Sequence, residues 1–266
     1  MALFSKTLTL RRVFLKLESI LSCYFLIRSP HYRNLRLKFV GIANKTNELT
    51  AMEKDGIYEK AMVDRFLEDA RKSEIFFDIG GNIGNYSLVY RKISEGTCHC
   101  WEPETKYMFL HRINQLLNFK NWRKIHFYKK FVGVDDDNNT VSLNKFCDVN
   151  NIFPDLVKID VEGAEAKILP SLKNMFFKNN PKIYLEYHPV DIKNVFKICP
   201  ASFIDFVCKN FSEVELNINH WGSFKGVPPG AWVETSKDEL LKLTEEILAG
   251  ERKPRGFGLI LSGKLP

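Results

Sequence analysis

FFDIGGNIGNYS, residues 76–87, decides the fold. An apolar run ends in an acid, Asp78. Gly80, Gly81 and Gly84 follow within six residues, and a helix-forming stretch comes next. This is a buried strand turning sharply into a helix, and glycine supplies the backbone freedom such a turn needs. A second block, VKIDVEGAEAKIL at 157–169, repeats the grammar of strand, acid (Asp160, Glu162), glycine (Gly163) and helix. In an open α/β sheet, ligands bind in the crevice beyond the carboxyl ends of the strands. Two such strand ends bracket one site.

The surrounding pattern supports an α/β fold with a doubly wound, mostly parallel sheet. Strands are predicted at 75–79, 98–102, 125–134, 156–160 and 182–187. Helices are predicted at 57–70, 84–92, 106–117, 164–177 and 200–209. This alternation builds a parallel sheet with helices on both faces. Residues 141–143 read as a short extra strand and 211–218 and 257–261 as two last strands, with a helix at 237–248. An isolated strand is predicted at 35–40.

Composition sets limits on partners. The chain of 266 residues carries 45% hydrophobic and 27% charged residues, ordinary for a globular protein, with a net charge of +7. Residues 1–45 hold nine basic residues against Glu18 alone, or +8, so the other 221 carry −1. The basic charge thus belongs to the N-terminal segment, and a nucleic-acid groove on the main domain is not favoured. Residues 1–54 are read as a basic amphipathic extension and 55–266 as the catalytic domain. Leu10, Val13, Phe14, Leu17, Ile20, Leu21 and Tyr24 form a helical stripe. It suits packing on the chain's own domain or on a second copy; the competing reading lays it on an anionic membrane surface. Export is disfavoured, because Glu18 interrupts the apolar region and no small-residue cleavage site follows. The six cysteines show no C-x-x-C spacing and read as buried free thiols. No metal ligand set is assigned.

The glycine spacing G-G-x-x-G is not the dinucleotide fingerprint, and the G-K-[ST] ending of a phosphate loop is absent. An acid ahead of the glycines suits a cationic or neutral ligand. Glu102 ends the next strand, where a ribose-binding acid belongs. In the segment IYLEYHP, Glu186 and His188 share one face of an extended stretch. His188 is the preferred proton acceptor, since imidazole titrates near neutrality. Asp160 and Glu162 are the alternatives. Glu165, in a helix's first turn, has a sufficient structural role there. Lys158 is expected to reach a neighbouring carboxylate.

FFDIGGNIG, CHCWEP, VKIDVEGAEAKIL and YLEYHP, with DGIYEKAMVDRFL upstream, together resemble the FkbM family of S-adenosylmethionine-dependent methyltransferases over residues 55–190. The resemblance implies a class I (Rossmann-like) methyltransferase fold with a seven-stranded sheet whose last strand is antiparallel. It implies that Asp78, Gly80, Asn82, Gly84 and Asn85, with Glu59 from the lead-in, hold the methionine end of S-adenosyl-L-methionine. Glu102 and Pro103 would serve the ribose, Val132 and Gly133 the adenine, and Asp160 the sulfonium. Glu162, Glu186 and His188 would face the acceptor. The implied activity is O-methylation of a sugar hydroxyl on a glycan, glycolipid or related metabolite, in the cytoplasm or at its membrane face. RNA or protein acceptors and a non-catalytic scaffold are the alternatives. Mg2+ held by Asp160, Glu162 and Glu186 is not favoured. The chain departs from the family at Gly81, where Ala is frequent, and at Asn144, where Asp is common. The loop 220–256, with Trp221, Pro228, Pro229 and Trp232, reads as a hydrophobic clasp, with stacking on a sugar ring as the second reading.

Overall fold

A computed structural model describes residues 25–42, 47–118, 124–172, 178–220, 230–252 and 255–263. The predicted stripe at 10–24 lies outside them, as do Trp221, Pro228 and Pro229.

An N-terminal segment comes first, with short strands β1 (Phe25–Arg28), β2 (His31–Tyr32), β3 (Leu35–Arg36) and β4 (Phe39–Ile42). Helices α1 (Asn47–Asp55) and α2 (Lys60–Ala70) lead into β5 (Ile75–Ile79), α3 (Asn85–Ile93), β6 (Thr97–Trp101), α4 (Thr105–Asn118) and β7 (Ile125–Tyr128). After β8 (Phe131–Gly133), β9 (Thr140–Ser142) and α5 (Leu143–Asn150) come β10 (Leu156–Ile159), α6 (Glu165–Ser171) and β11 (Lys182–Tyr187). The chain continues through α7 (Pro189–Asn194), α8 (Pro200–Asn210), β12 (Glu213–Asn217), β13 (Val233–Glu234), α9 (Lys237–Leu248) and β14 (Phe257–Ser262).

The main sheet has eight strands in the order β13-β12-β14-β11-β10-β5-β6-β7. From β7 to β11 all neighbours are parallel, and β14 runs antiparallel between β11 and β12. The direction of winding reverses at β5/β10, so the crevice opens at the carboxyl ends of these two strands. The expected seven strands are joined by β13, two residues long and too short for a periodic signal.

The central strands are apolar almost throughout because both faces are covered. Phe77, Val157, Ile183 and Leu259 face one core with α5, α6, α8 and α9. Phe76, Leu156, Tyr184 and Ile260 face the other with α2, α3 and α4. Tyr32, Leu35, Phe39, Leu49 and Met52 belong to this second core. The segment read as an extension therefore shares its packing with the sheet from Tyr32 onward. Asn114 ties it in: its side chain accepts from Val40 N at 2.6 Å and donates to Val40 O and Ile83 O.

Several boundaries differ from expectation. The strand predicted at 125–134 divides, because the polar pair Lys129-Lys130 leaves the sheet and β8 pairs with β9 instead. The strand predicted at 35–40 divides between β3 and β4. Helices α1, α5 and α7 were not anticipated; their polar composition hides the few buried anchors, such as Leu49 and Met52 in α1 and Leu143 and Cys147 in α5. The helix predicted at 57–70 begins only at Lys60, after Glu59 in a left-handed conformation. Cys199 is exposed and Cys208 partly so, whereas Cys98, Cys100 and Cys147 are the buried thiols expected. Among the described residues no helix is long and apolar enough to cross a membrane.

Candidate active site

The glycine turn is fixed by what surrounds it. A Cβ at Gly80 would stand 1.8 Å from the carbonyl oxygen of Asp160, and Gly80 has φ +84°. One at Gly81 would meet Cys100 Sγ at 2.2 Å, and one at Gly84 the ring of His111 at 2.2 Å. The glycines are thus required by protein packing, not only by a ligand's approach. Asp160 N also donates to Ile79 O at 3.0 Å, so the ends of β5 and β10 are locked together.

Asp78 is buried beneath this turn. Its Oδ2 accepts from Ser87 N at 3.1 Å and from Ser87 Oγ at 2.5 Å, which pins the strand end to α3. Burial raises its pKa, and the Ser87 hydroxyl opposes the shift. The sequence expects contact with a cofactor's methionine end; what the structure shows for Asp78 is this internal role. Glu102 ends β6. Its Oε2 accepts from Asn82 N at 2.9 Å and its Oε1 from Glu104 N at 2.8 Å. Each carboxylate oxygen keeps a lone pair for a further donor, which suits a vicinal diol. Pro103 follows directly and is half-buried. Asn85 Nδ2 donates to Tyr58 O at 3.4 Å, and its Oδ1 is a buried acceptor with no hydrogen-bond partner among the described residues. Val132 packs in the core with Trp101 and Phe77, and Gly133 ends β8 against Thr140. Both lie on the separate β8/β9 ribbon, not on the end of the third strand.

Period-two alternation places Asp78, Lys158 and Glu186 on the same side of the sheet, since Lys158 is in register with Asp78 and with Tyr184. Lys158 is 1% exposed, with Nζ 3.4 Å from Asp160 Oδ2 and 3.8 Å from Glu59 Oε2. Burial opposes its charge, but Asp160 and Glu59 hold it protonated, with its pKa raised. Glu59 is fully buried; its Oε2 accepts from Tyr86 Oη at 2.5 Å. It therefore lies under the crevice rather than on its surface.

On the other side of Asp160 stands His188. Its Nε2 is 3.2 Å from Glu186 Oε1 and 3.7 Å from Glu162 Oε2, and its Nδ1 is 3.4 Å from Glu165 Oε1. Glu165 is wholly buried. It accepts from His188 N and Gly163 N, both at 2.7 Å, and so fastens the end of β11 to the 162–165 turn. Burial disfavours a charged His188, but Glu186 and Glu165 override it and raise the imidazole well above its usual range. In return, although burial pushes the other way, His188 holds Glu186 well below the usual carboxylate range. Asp160 keeps 26% of its side chain exposed. Removal from most of its water and the nearby Glu186 raise it to about 7. Glu162 has φ 50° and a side chain 81% exposed, at the lip of the crevice.

The structure thus brings together Asp160, Glu162, Glu186 and His188, and separately Asp78, Gly80, Asn82, Gly84, Asn85 and Glu102. Metal-ligating atoms of Asp160, Glu186 and His188 lie within 4.8 Å of one another. His188, not Glu162, completes that set. Sequence reasoning left out His220, which is fully buried with Nε2 3.6 Å from Glu186 Oε2. No spacing signals it, since it follows a strand remote in sequence. Trp232 donates from Nε1 to Ala61 O at 2.9 Å, consistent with a clasp.

A sheet with this strand order, an antiparallel strand inserted next to the fifth, and an acid at the end of its second strand define the class I, Rossmann-like methyltransferase fold. Residues 104–223 match the model of the Methyltransferase FkbM domain. No curated protein matches the chain significantly. Among solved structures, it is similar to a putative O-methyltransferase from Klebsiella pneumoniae (12% identity, 82% of this chain and 86% of that one, TM-score 0.47). It is also similar to the O-methyltransferase TomG from Streptomyces achromogenes (10%, 80% and 86%, TM-score 0.46). A third is the methyltransferase FkbM from Methylobacillus flagellatus KT (14%, 56% and 42%, TM-score 0.42).

Proposed function

We propose that the chain is an S-adenosylmethionine-dependent O-methyltransferase whose acceptor is a sugar hydroxyl of a glycan, glycolipid or related metabolite. The observation that carries this reading is the convergence of Glu102, the Gly80–Gly84 turn and Asp160 at the ends of three neighbouring strands. S-adenosylmethionine, when bound, supplies an electrophilic methyl group on a sulfonium. The residues fit it. Glu102 offers two oxygens to the ribose hydroxyls, the unpartnered Asn85 Oδ1 offers a buried acceptor, and Asp160 places negative charge beside the crevice.

The base assignment changes from the sequence reading. An imidazolium cannot accept a proton, and three carboxylates surround the His188 ring. His188 therefore orients Glu186 and Glu162, and Asp160 takes the proton from the acceptor hydroxyl. Its pKa near neutrality suits a general base. Holding acceptor and methyl in line supplies much of the remaining acceleration. Glu162, exposed at the lip, is available to hydrogen-bond further hydroxyls. A carboxylate-lined crevice on a domain without excess positive charge disfavours polyanionic acceptors such as RNA. The cytoplasm, where the cofactor is supplied, is the setting this activity requires.

The test is transfer of labelled methyl from S-adenosylmethionine into fractionated extract of the source cells, with Asp160→Asn as control. Label is expected in the glycan or glycolipid fraction and absent with the variant. Label in RNA or protein instead contradicts the acceptor class. Label in no fraction, from a folded chain, contradicts methyl transfer.

A further inference from the structure

Beneath the acceptor side lies a second cluster that shares only Glu186 with it. Glu59, Glu186 and His220 come from the start of α2, the end of β11 and the residues after β12. All three are buried, and their ligand atoms lie within 4.8 Å of one another. His220 Nε2 is 3.8 Å from Glu59 Oε1 and 3.6 Å from Glu186 Oε2. These separations are long for hydrogen bonds. They approach the ~3.4 Å edge of a tetrahedron whose centre is a zinc-sized ion about 2.1 Å from each ligand.

A further observation points to a ligand there. Glu59 Oε1 is fully buried and has no hydrogen-bond partner among the described residues, while Oε2 is taken by Tyr86 Oη and faces Lys158. A buried carboxylate oxygen without a donor is costly, and here it aims at an imidazole nitrogen. Gly258, opposite Glu186 on β14, gives the His220 ring its room, since a Cβ there would stand 2.9 Å from that ring.

We propose that Glu59, Glu186 and His220 bind one divalent first-row transition-metal ion of the zinc or manganese class. Two carboxylates and one imidazole suit these ions better than calcium or magnesium. The site ties the lead-in helix to the two strands that carry the acceptor side, so it acts on the positions of Glu186 and His188 rather than on the methyl group.

The test uses the full chain without S-adenosylmethionine, so its outcome is separate from that of the methyltransferase reading. After dialysis against EDTA, Zn2+ is titrated calorimetrically and Mn2+ is followed by electron spin echo spectroscopy. One equivalent of metal and one coupled imidazole nitrogen are expected. Glu59→Gln and His220→Gln should each weaken binding at least about tenfold, and Asp160→Asn, which removes a ligand of the neighbouring group, should leave it within about threefold. Circular dichroism establishes which variants fold, and the wild-type stoichiometry and nitrogen coupling stand even if one does not. No bound ion at millimolar metal, no imidazole coupling, or binding lost in Asp160→Asn but kept in the other two would overturn the proposal.

Discussion

Under the proposed activity, Asp160→Asn is expected to lower methyl-transfer turnover by about 10²- to 10⁴-fold, the range a positioned general base contributes. The amide keeps the shape of the carboxylate but cannot take a proton. Lys158 Nζ, 3.4 Å from Asp160 Oδ2, loses its nearest counter-charge, yet Glu59 remains beside it. The fold is therefore retained, and the loss falls on kcat more than on cofactor affinity. A pH dependence accompanies it. Burial and then Glu186 raise Asp160 to about 7. A base must be ionised to act, so wild-type kcat/KM rises as pH increases through about 7 and levels above it. In Asp160→Asn that limb disappears. Steady-state kinetics across pH 5.5–9, roughly the span that brackets such a group, make the check. An equal loss in kcat and in cofactor affinity would assign Asp160 to cofactor binding alone.

Gly80→Ala is expected to be the most damaging methyl addition among the described glycines. An alanine there meets two costs. The left-handed conformation, φ +84°, disfavours any Cβ by about 1–2 kcal/mol. The added carbon would also lie 1.8 Å from the backbone oxygen of Asp160, which cannot swing aside as a side chain would. Relief requires separating the ends of β5 and β10, whose hydrogen bond Asp160 N to Ile79 O then breaks. The total is expected to be about 3 kcal/mol or more, in the severe tail of single substitutions. Urea unfolding with a two-state fit measures it. Gly250→Ala is a suitable contrast, since its φ is +78° but nothing lies within 4 Å of the added carbon. Similar losses at the two glycines would attribute the whole effect to conformation and remove the proposed strand-end lock.

The comparison also shows what a sequence exposes. The strands β5, β10 and β11 were legible because each is buried on both faces and reads as a nearly continuous apolar run. The acids at their ends were legible because a carboxylate has no reason to follow such a run without a partner. Lys158 was only half legible. In VKID it resembles any strand lysine, and its significance appears when register sets it beside Asp78 and beneath Asp160. His188 was legible as the residue that closes β11, but the carboxylates around its ring were not. Glu165 lies 23 residues before it in sequence, and the fold closes that distance to 3.4 Å. Glu59 and His220 illustrate the rest. Neither has a motif of its own around the other, and only the insertion of β14 between β11 and β12 brings His220 to Glu186. The short helices α1, α5 and α7 escaped for a different reason: two or three buried anchors do not make a periodic stripe.

The central claim is that a sulfonium cofactor sits across the ends of β5, β6 and β10. Calorimetric titration of S-adenosylmethionine into the wild-type chain and into Glu102→Ala tests it most directly. Binding of one equivalent by the wild type is expected, with affinity reduced at least about tenfold in the variant, because two ribose hydrogen bonds to a charged group are lost. No binding by a folded wild-type chain, or equal binding by both proteins, would contradict the account.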